Sequence, residues 1–232
     1  MYLLFILLLL IIPPAAWGSP IYISNFSFEG PAVSAGYYTT GSATRLYPSG
    51  YSWNIYTPSP IPGWNIDPNE DAGVWNPSGW GSYSGNLPDG NQVGYSNGGR
   101  IWKVLSVTLQ PNATYTLSVD IGNRQDCCWD SAGYRVSLYA GGTEVAFDNS
   151  SLHLAHGTFG TSTVTYTTGP TNPLIGQLLT IVLWAAPNFP RQVDFDKVWL
   201  EADVTAIPEP SSILLLAGGV AVLLLRRRRQ TN

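Results

Sequence analysis

Across 232 residues the chain has two cysteines, two histidines, one methionine and only 11% charged residues, against about 25% charged in an average soluble domain. Each scarcity excludes something. His153 and His156 form an H-x-x-H pair with no helical glutamate between them, so the zinc-protease pattern is missing and both read as surface residues. The neighbouring carboxylates Glu70 and Asp71 sit in a loop without the burial that would raise one of them. Basic charge is scarce where it would matter: four of the eleven Lys and Arg residues are Arg226, Arg227, Arg228 and Arg229, and residues 19–207 hold 14 acidic against 7 basic side chains. That excludes a phosphate-binding stripe and with it nucleic acid as a partner. Amphipathic helices of useful length are absent too, because Gly, Pro, Ser, Thr and Asn interrupt every segment.

What is present begins with two unusual ends. Residues 2–12 are an unbroken apolar run followed by Pro13-Pro14, and Ala16 and Gly18 supply small residues at the −3 and −1 positions of a signal-peptidase site. A signal peptide over 1–18 is expected, although no Lys or Arg precedes the run. A spanning helix is the alternative, and the run is short for one. At the other end, residues 213–225 are apolar and the four arginines follow. Thirteen helical residues cover about 20 Å, short of the ~30 Å hydrocarbon core, and the arginines would hold the cytoplasmic side.

This tail, with Pro208-Glu209-Pro210, Ser211-Ser212, the leucine-rich span and Arg226–Arg229 in that order, resembles the PEP-CTERM sorting signal over residues 206–232. The resemblance implies an exosortase-type sorting enzyme as partner, transient residence in the inner membrane, and delivery of the domain to the outer side, then the cell surface or extracellular matrix. A plain tail anchor is the other reading.

Residues 19–205 remain as one domain. Leu105, Val107 and Leu109 share one strand face, as do Tyr115, Leu117, Val119 and Ile121 after the turn at 110–113. Tyr134, Val136 and Leu138 alternate with Arg135, Ser137 and Tyr139 before Gly141-Gly142 turns the chain into Glu144–Phe147. Val164 and Tyr166, Leu178–Trp184, Val193–Leu200, an edge strand Ile21–Phe28 and the run Gln92–Tyr95 bring the count to nine. The fold class is all-β, an antiparallel sandwich. Residues 29–91 lose this periodicity and read as a long irregular stretch, which in a compact domain usually carries function.

The runs Asn25–Gly30, Ile61-Pro62-Gly63-Trp64, Pro88–Val93 and Val193–Leu200 together resemble the galactose-binding-like jelly rolls shared by carbohydrate-binding modules. That resemblance implies a structural calcium ion held by Glu29 and Asp196 with backbone carbonyls; Asp194 is added by spacing alone. Solvated carboxylates at a strand edge are the alternative.

Sugar rings need a flat aromatic surface fringed by donors and acceptors. Trp75, Trp80 and Tyr83 in the irregular stretch, with Arg124, Asp126 and Trp129 in the loop 122–132, are the candidate ligand site; Trp102, Trp184 and Trp199 on strands are expected to pack. In an exported chain the adjacent Cys127 and Cys128 could form a strained vicinal disulfide, stay free, or pair between molecules. The resulting expectation is a sorted surface or matrix protein that binds extracellular polysaccharide without catalysis. A structural surface protein making protein contacts is the second reading.

Overall fold

The computed structural model describes residues 18–36, 38–40, 56–58, 60–67, 71–126, 133–185 and 192–204, together with Gly219 and Arg227. Cys127, Cys128 and Trp129 fall outside the described residues. So do Pro208, Glu209, Pro210, Arg226, Arg228, Arg229 and all of the segment 213–225 except Gly219. Among the described residues no helix is long and apolar enough to cross a membrane.

Among the described residues, thirteen strands form two sheets. In chain order they are β1 (Ser19–Ile21), β2 (Tyr38–Thr40), β3 (Tyr56–Pro58), β4 (Asn65–Ile66), β5 (Ala72–Trp75), β6 (Val93–Ser96), β7 (Arg100–Thr108), β8 (Ala113–Asn123), β9 (Tyr134–Ala140), β10 (Thr143–Asn149), β11 (Thr158–Thr167), β12 (Leu178–Ala185) and β13 (Val193–Val204). The larger sheet runs β11-β8-β13-β6-β5-β2-β3 with β1 added to β13, and the smaller runs β10-β9-β12-β7-β4. Pairing is antiparallel throughout except between β2 and β3, which run parallel. This is the expected antiparallel sandwich.

The alternating residues fill the space between the sheets. Tyr115, Leu117, Val119 and Ile121 of β8 meet Val136, Leu138, Ile181, Leu183, Ile101 and Leu105 of the smaller sheet in one buried cluster. Burying each large aliphatic side chain contributes about 1.5–3 kcal/mol, so this repeated alternation is the main force closing the sandwich. The β9–β10 hairpin turns on Gly141 and Gly142, at φ 55° and 84°. Two consecutive positive φ values suit a tight hairpin turn and favour glycine.

Two local expectations change. The edge strand stops at Ile21, because Asn25 and Phe28 take positive φ (53° and 58°). The Asn25 side chain closes that turn, accepting from the Gly30 N–H at 2.9 Å and donating to its carbonyl at 2.8 Å. Trp199 does not pack: a register shift between Asp196 and Trp199, with Lys197 at φ 47°, turns it outward to 43% exposure. Its indole N–H reaches Glu201 at 2.9 Å. Trp102 and Trp184 are half-buried.

Candidate active site

Four strands unseen in the sequence are β2 to β5; β4 joins the smaller sheet, while β2, β3 and β5 widen the larger one, whose outer face carries a second apolar cluster. Ala72 and Val74 of β5 point into the sandwich, whereas Trp75 joins Tyr38, Val93 and Tyr95 on the outside, with Trp80, Tyr83, Leu87 and Phe159 packed against them. The glycine-rich segment 77–91 covers this face. On β13 the same division holds: Val193 and Phe195 enter the core, and Asp194 and Asp196, on the opposite side, are nonetheless completely buried.

The covering aromatics are tightly ordered. Tyr38 stacks on Trp75 with centroids 5.0 Å apart and planes 7° apart. Trp80 stands edge-on to Trp75 at 6.4 Å, and Tyr83 tilts against Phe159 at 4.4 Å. The Arg124 guanidinium lies 3.9 Å from the centre of the Trp75 ring and 5.9 Å from that of Trp80. It pairs with both oxygens of Asp126 at 3.0 and 2.6 Å. Its NH1 group donates to the Tyr38 hydroxyl at 2.6 Å and to Gln192 Oε1 at 2.8 Å.

Asp194 lies at the centre. Tyr83 donates its hydroxyl to Oδ2, and Gln192 Nε2 donates to Oδ1 at 2.6 Å. Burial is the largest influence and raises the carboxyl; the Arg124 charge and the hydrogen bonds from Tyr83 and Gln192 oppose it, leaving Asp194 pushed up to about 6. Tyr83 is pushed well above an ordinary phenol by burial and by the neighbouring Asp194. Burial works against the Arg124 charge, but Asp126 and its other neighbours outweigh it and the guanidinium remains charged. Close approach of Tyr83 to the sheet depends on Gly122, the residue opposite Asp194 in the β8–β13 ladder. A Cβ there would lie 2.5 Å from the Tyr83 hydroxyl and 2.7 Å from the Phe159 ring.

The five described members of the sequence-based ligand group therefore do converge: Trp75, Trp80, Tyr83, Arg124 and Asp126. Their setting is different from a sugar platform. Trp75 is wholly buried, with Tyr38 stacked on its ring and Arg124 over it, so it offers no open face to a pyranose. Sequence reasoning missed Tyr38, Phe159, Gln192 and the role of Asp194. The only signal for Asp194 was its alternation with Val193 and Phe195, and that pattern does not reveal a covered outer face.

Glu29 and Asp196 meet elsewhere, on the turn 88–92. Glu29 Oε1 accepts the N–H groups of Asn91 and Gln92 at 2.9 and 2.8 Å, and Asp196 accepts those of Asp89 at 3.0 Å and Lys197 at 2.7 Å. Burial pushes Asp196 up to about 8, with the two N–H groups opposing it and the charges of Asp89 and Asp120 adding to it. Calcium takes six to eight oxygens, and among the described residues no three His, Cys, Asp or Glu side chains converge. The calcium expectation drew its remaining ligands from backbone carbonyls; the contacts present at Glu29 and Asp196 are with backbone N–H groups, and these pin the turn. His153 and His156 are exposed.

Residues 19–201 match the HpiC1-like family model, described as HpiC1 cyclase, and residues 206–229 match the PEP-CTERM protein-sorting motif. A solved cyclase from Fischerella sp. TAU is 30% identical, with a TM-score of 0.64, covering 82% of this chain and 100% of that one. Two further structures from the same organism cover the same shares at 28% identity. One is the Stig cyclase Fisc in complex with (3Z)-3-(1-methyl-2-pyrrolidinylidene)-3H-indole, at a TM-score of 0.66. The other is a cyclase in complex with 4-(1H-indol-3-yl)butan-2-one, at 0.65. No curated protein matches the chain. These findings overturn the expectation of a non-catalytic, polysaccharide-binding domain: the matched fold is that of cyclases, and the carboxyl with the bias of an acid lies inside the aromatic cluster. The tail is a PEP-CTERM signal, and it marks an exported, membrane-anchored precursor recognised by exosortase.

Proposed function

The chain belongs to the HpiC1-like cyclase family, and from that premise we propose that it closes a ring within an indole-type substrate by proton transfer from Asp194. The observation that carries the reading is a fully buried carboxyl, raised to about 6, bonded to Tyr83 among aromatic rings. A general acid works best when its pKa lies near the working pH, and a carboxyl that keeps its proton there can donate it to an unsaturated carbon or a basic nitrogen. The substrate then carries positive charge. Aromatic faces favour a cation by up to about 2 kcal/mol each when water is excluded, and the Asp194 carboxylate left behind is a counter-ion at the same place. Bond formation between two carbons of the substrate moves the positive charge onto the ring that supplies the electron pair, and loss of a proton from that ring to the Asp194 carboxylate neutralises it and restores the acid. The reaction is a net isomerisation and consumes no oxidant.

Access is through the cover. Pro77, Ser82, Tyr83, Leu87 and Asn91 line a cleft of about 700 Å³ beside the cluster, so Tyr83 stands between that cleft and Asp194. Indole ligands bound by the Fischerella proteins support an aromatic substrate of similar size. The sorting signal supports work on the outer side of the inner membrane and then at the cell surface or matrix, with the membrane only a transient anchor. The test is calorimetric binding of 4-(1H-indol-3-yl)butan-2-one, followed by a search among indoles carrying unsaturated side chains for a product of unchanged mass and a new ring. Binding and turnover that vanish in Asp194→Asn are expected. Full turnover in that variant would overturn the assignment.

A further inference from the structure

Three groups around the acid are polar, buried and not yet accounted for: Gln192, Arg124 and Tyr38. Arg124 has five N–H donors and no acceptor. Four of those donors are committed, two to Asp126, one to Tyr38 and one to Gln192. The group that Gln192 presents to Arg124 must therefore be its carbonyl oxygen, since the amide nitrogen would set N–H against N–H. The Tyr38 hydroxyl points at the same oxygen, 3.3 Å away. With Oε1 fixed from that side, Nε2 has to face Asp194, and it lies 2.6 Å from Oδ1.

In a neutral carboxylic acid the carbonyl oxygen is the stronger acceptor, so the oxygen that receives an N–H bond is favoured as the carbonyl and the acid proton is favoured on the other one. We infer that Gln192, locked by Arg124, is a positioning residue that confines the acid proton of Asp194 to Oδ2, the oxygen that faces Tyr83. The inference rests on the cyclase reading for its purpose, but its geometry stands apart from turnover. In the protonated state Oδ2–H donates to the Tyr83 oxygen, and the phenol proton is then free to turn toward the neighbouring rings and the cleft. The proton leaves by the side on which substrate arrives. Without Gln192 either oxygen can hold it, and the population with Oδ1 protonated faces away from Tyr83.

The experiment is infrared difference spectroscopy of the whole chain labelled with ¹³C-carboxyl aspartate, taken on the acid side of the Asp194 transition, with the band assigned by its loss in Asp194→Asn. A carbonyl that accepts an N–H absorbs at lower wavenumber than a free one. In the unmodified chain the Asp194 C=O band is expected at the low, bonded end. Gln192→Leu should move it upward. Gln192→Glu should do the same, because that side chain still accepts from Arg124 but offers no N–H, and its near-identical size guards against simple misfolding. Arg124→Met should move the band upward and Arg124→Lys should leave it in place. The Gln192→Leu, Arg124→Met double variant should move it no further than Gln192→Leu alone. A band unmoved by Gln192→Leu and Gln192→Glu, or fully additive shifts in the double variant, would overturn the inference. For turnover, both Gln192 variants should lower kcat by about tenfold or more with KM little changed; an unchanged kcat also overturns it. If the bands shift as described while the unmodified chain turns over no indole, it is the cyclase reading that fails.

Discussion

Gly122 and Asp194 face each other across the β8–β13 ladder, and the hydrogen atom that stands for a side chain at Gly122 is what lets Tyr83 reach the carboxylate. Gly122→Ala would place a methyl carbon 2.5 Å from the Tyr83 hydroxyl. Overpacking of this kind costs about 1–3 kcal/mol, which thermal or urea unfolding can read. Activity is expected to fall further than stability does, because the displaced group is the one bonded to the acid. Gly122→Ala with normal turnover would separate Tyr83 from the chemistry.

Asp194 links stability and activity to pH in the same direction. Its folded pKa, about 6, lies above the ordinary 3.8. The folded chain therefore holds a proton that the unfolded chain has lost between those values, and stability falls as pH rises through that window. Asp194→Asn removes the effect: it should melt close to the unmodified chain near pH 3.8 and above it at pH 7. Turnover by the unmodified chain should decline as pH rises past about 6. Melting curves for both proteins across pH 4–7, with initial rates alongside, check both statements.

On the smaller sheet, Asp148 collects hydroxyl donors from Tyr134 at 2.6 Å, Ser162 at 2.6 Å and Ser151 at 2.9 Å. Burial pushes its carboxyl up, but these hydrogen bonds outweigh it and hold the group below the usual carboxylate range. Its stabilising effect is therefore complete above the ordinary carboxylate pKa and disappears as pH falls through the lower folded value. Asp148→Ala is expected to destabilise by about 3 kcal/mol at pH 7, measured by denaturant unfolding, with a smaller difference in strong acid.

Glu29 gathers two backbone N–H groups of the turn 88–92. Glu29→Leu strands both and should cost about 1–3 kcal/mol. Faster amide exchange at Asn91 and Gln92 is expected, with β8 and β12 still protected. Unchanged exchange at those two amides would show that the turn is held by Asp196 alone.

The long strands were legible because each has one face in the core and one outside: Tyr115 to Ile121 and Tyr134 to Leu138 announce themselves by alternation. The short strands β2 to β5 were not, since two to four residues give no period to detect and β5 is buried on both sides. Composition was a better guide to the site than periodicity. Trp75, Trp80, Tyr83, Arg124 and Asp126 were singled out as a group and do assemble, but whether a tryptophan is an open platform or a sealed wall depends on residues such as Tyr38, more than thirty positions away. Asp194 was hidden for the same reason: its burial comes from the segment carrying Tyr83, over a hundred residues earlier.

β13 has a consequence for how this protein could diversify. Val193 and Phe195 hold the two sheets together, while Asp194 between them belongs to the outer cluster, so one strand carries two independent alphabets interleaved letter by letter. Substitutions confined to the outer letters of β5, β6, β11 and β13 leave the sandwich's own text intact. A lineage could thereby exchange one ring closure for another without passing through an unfolded ancestor.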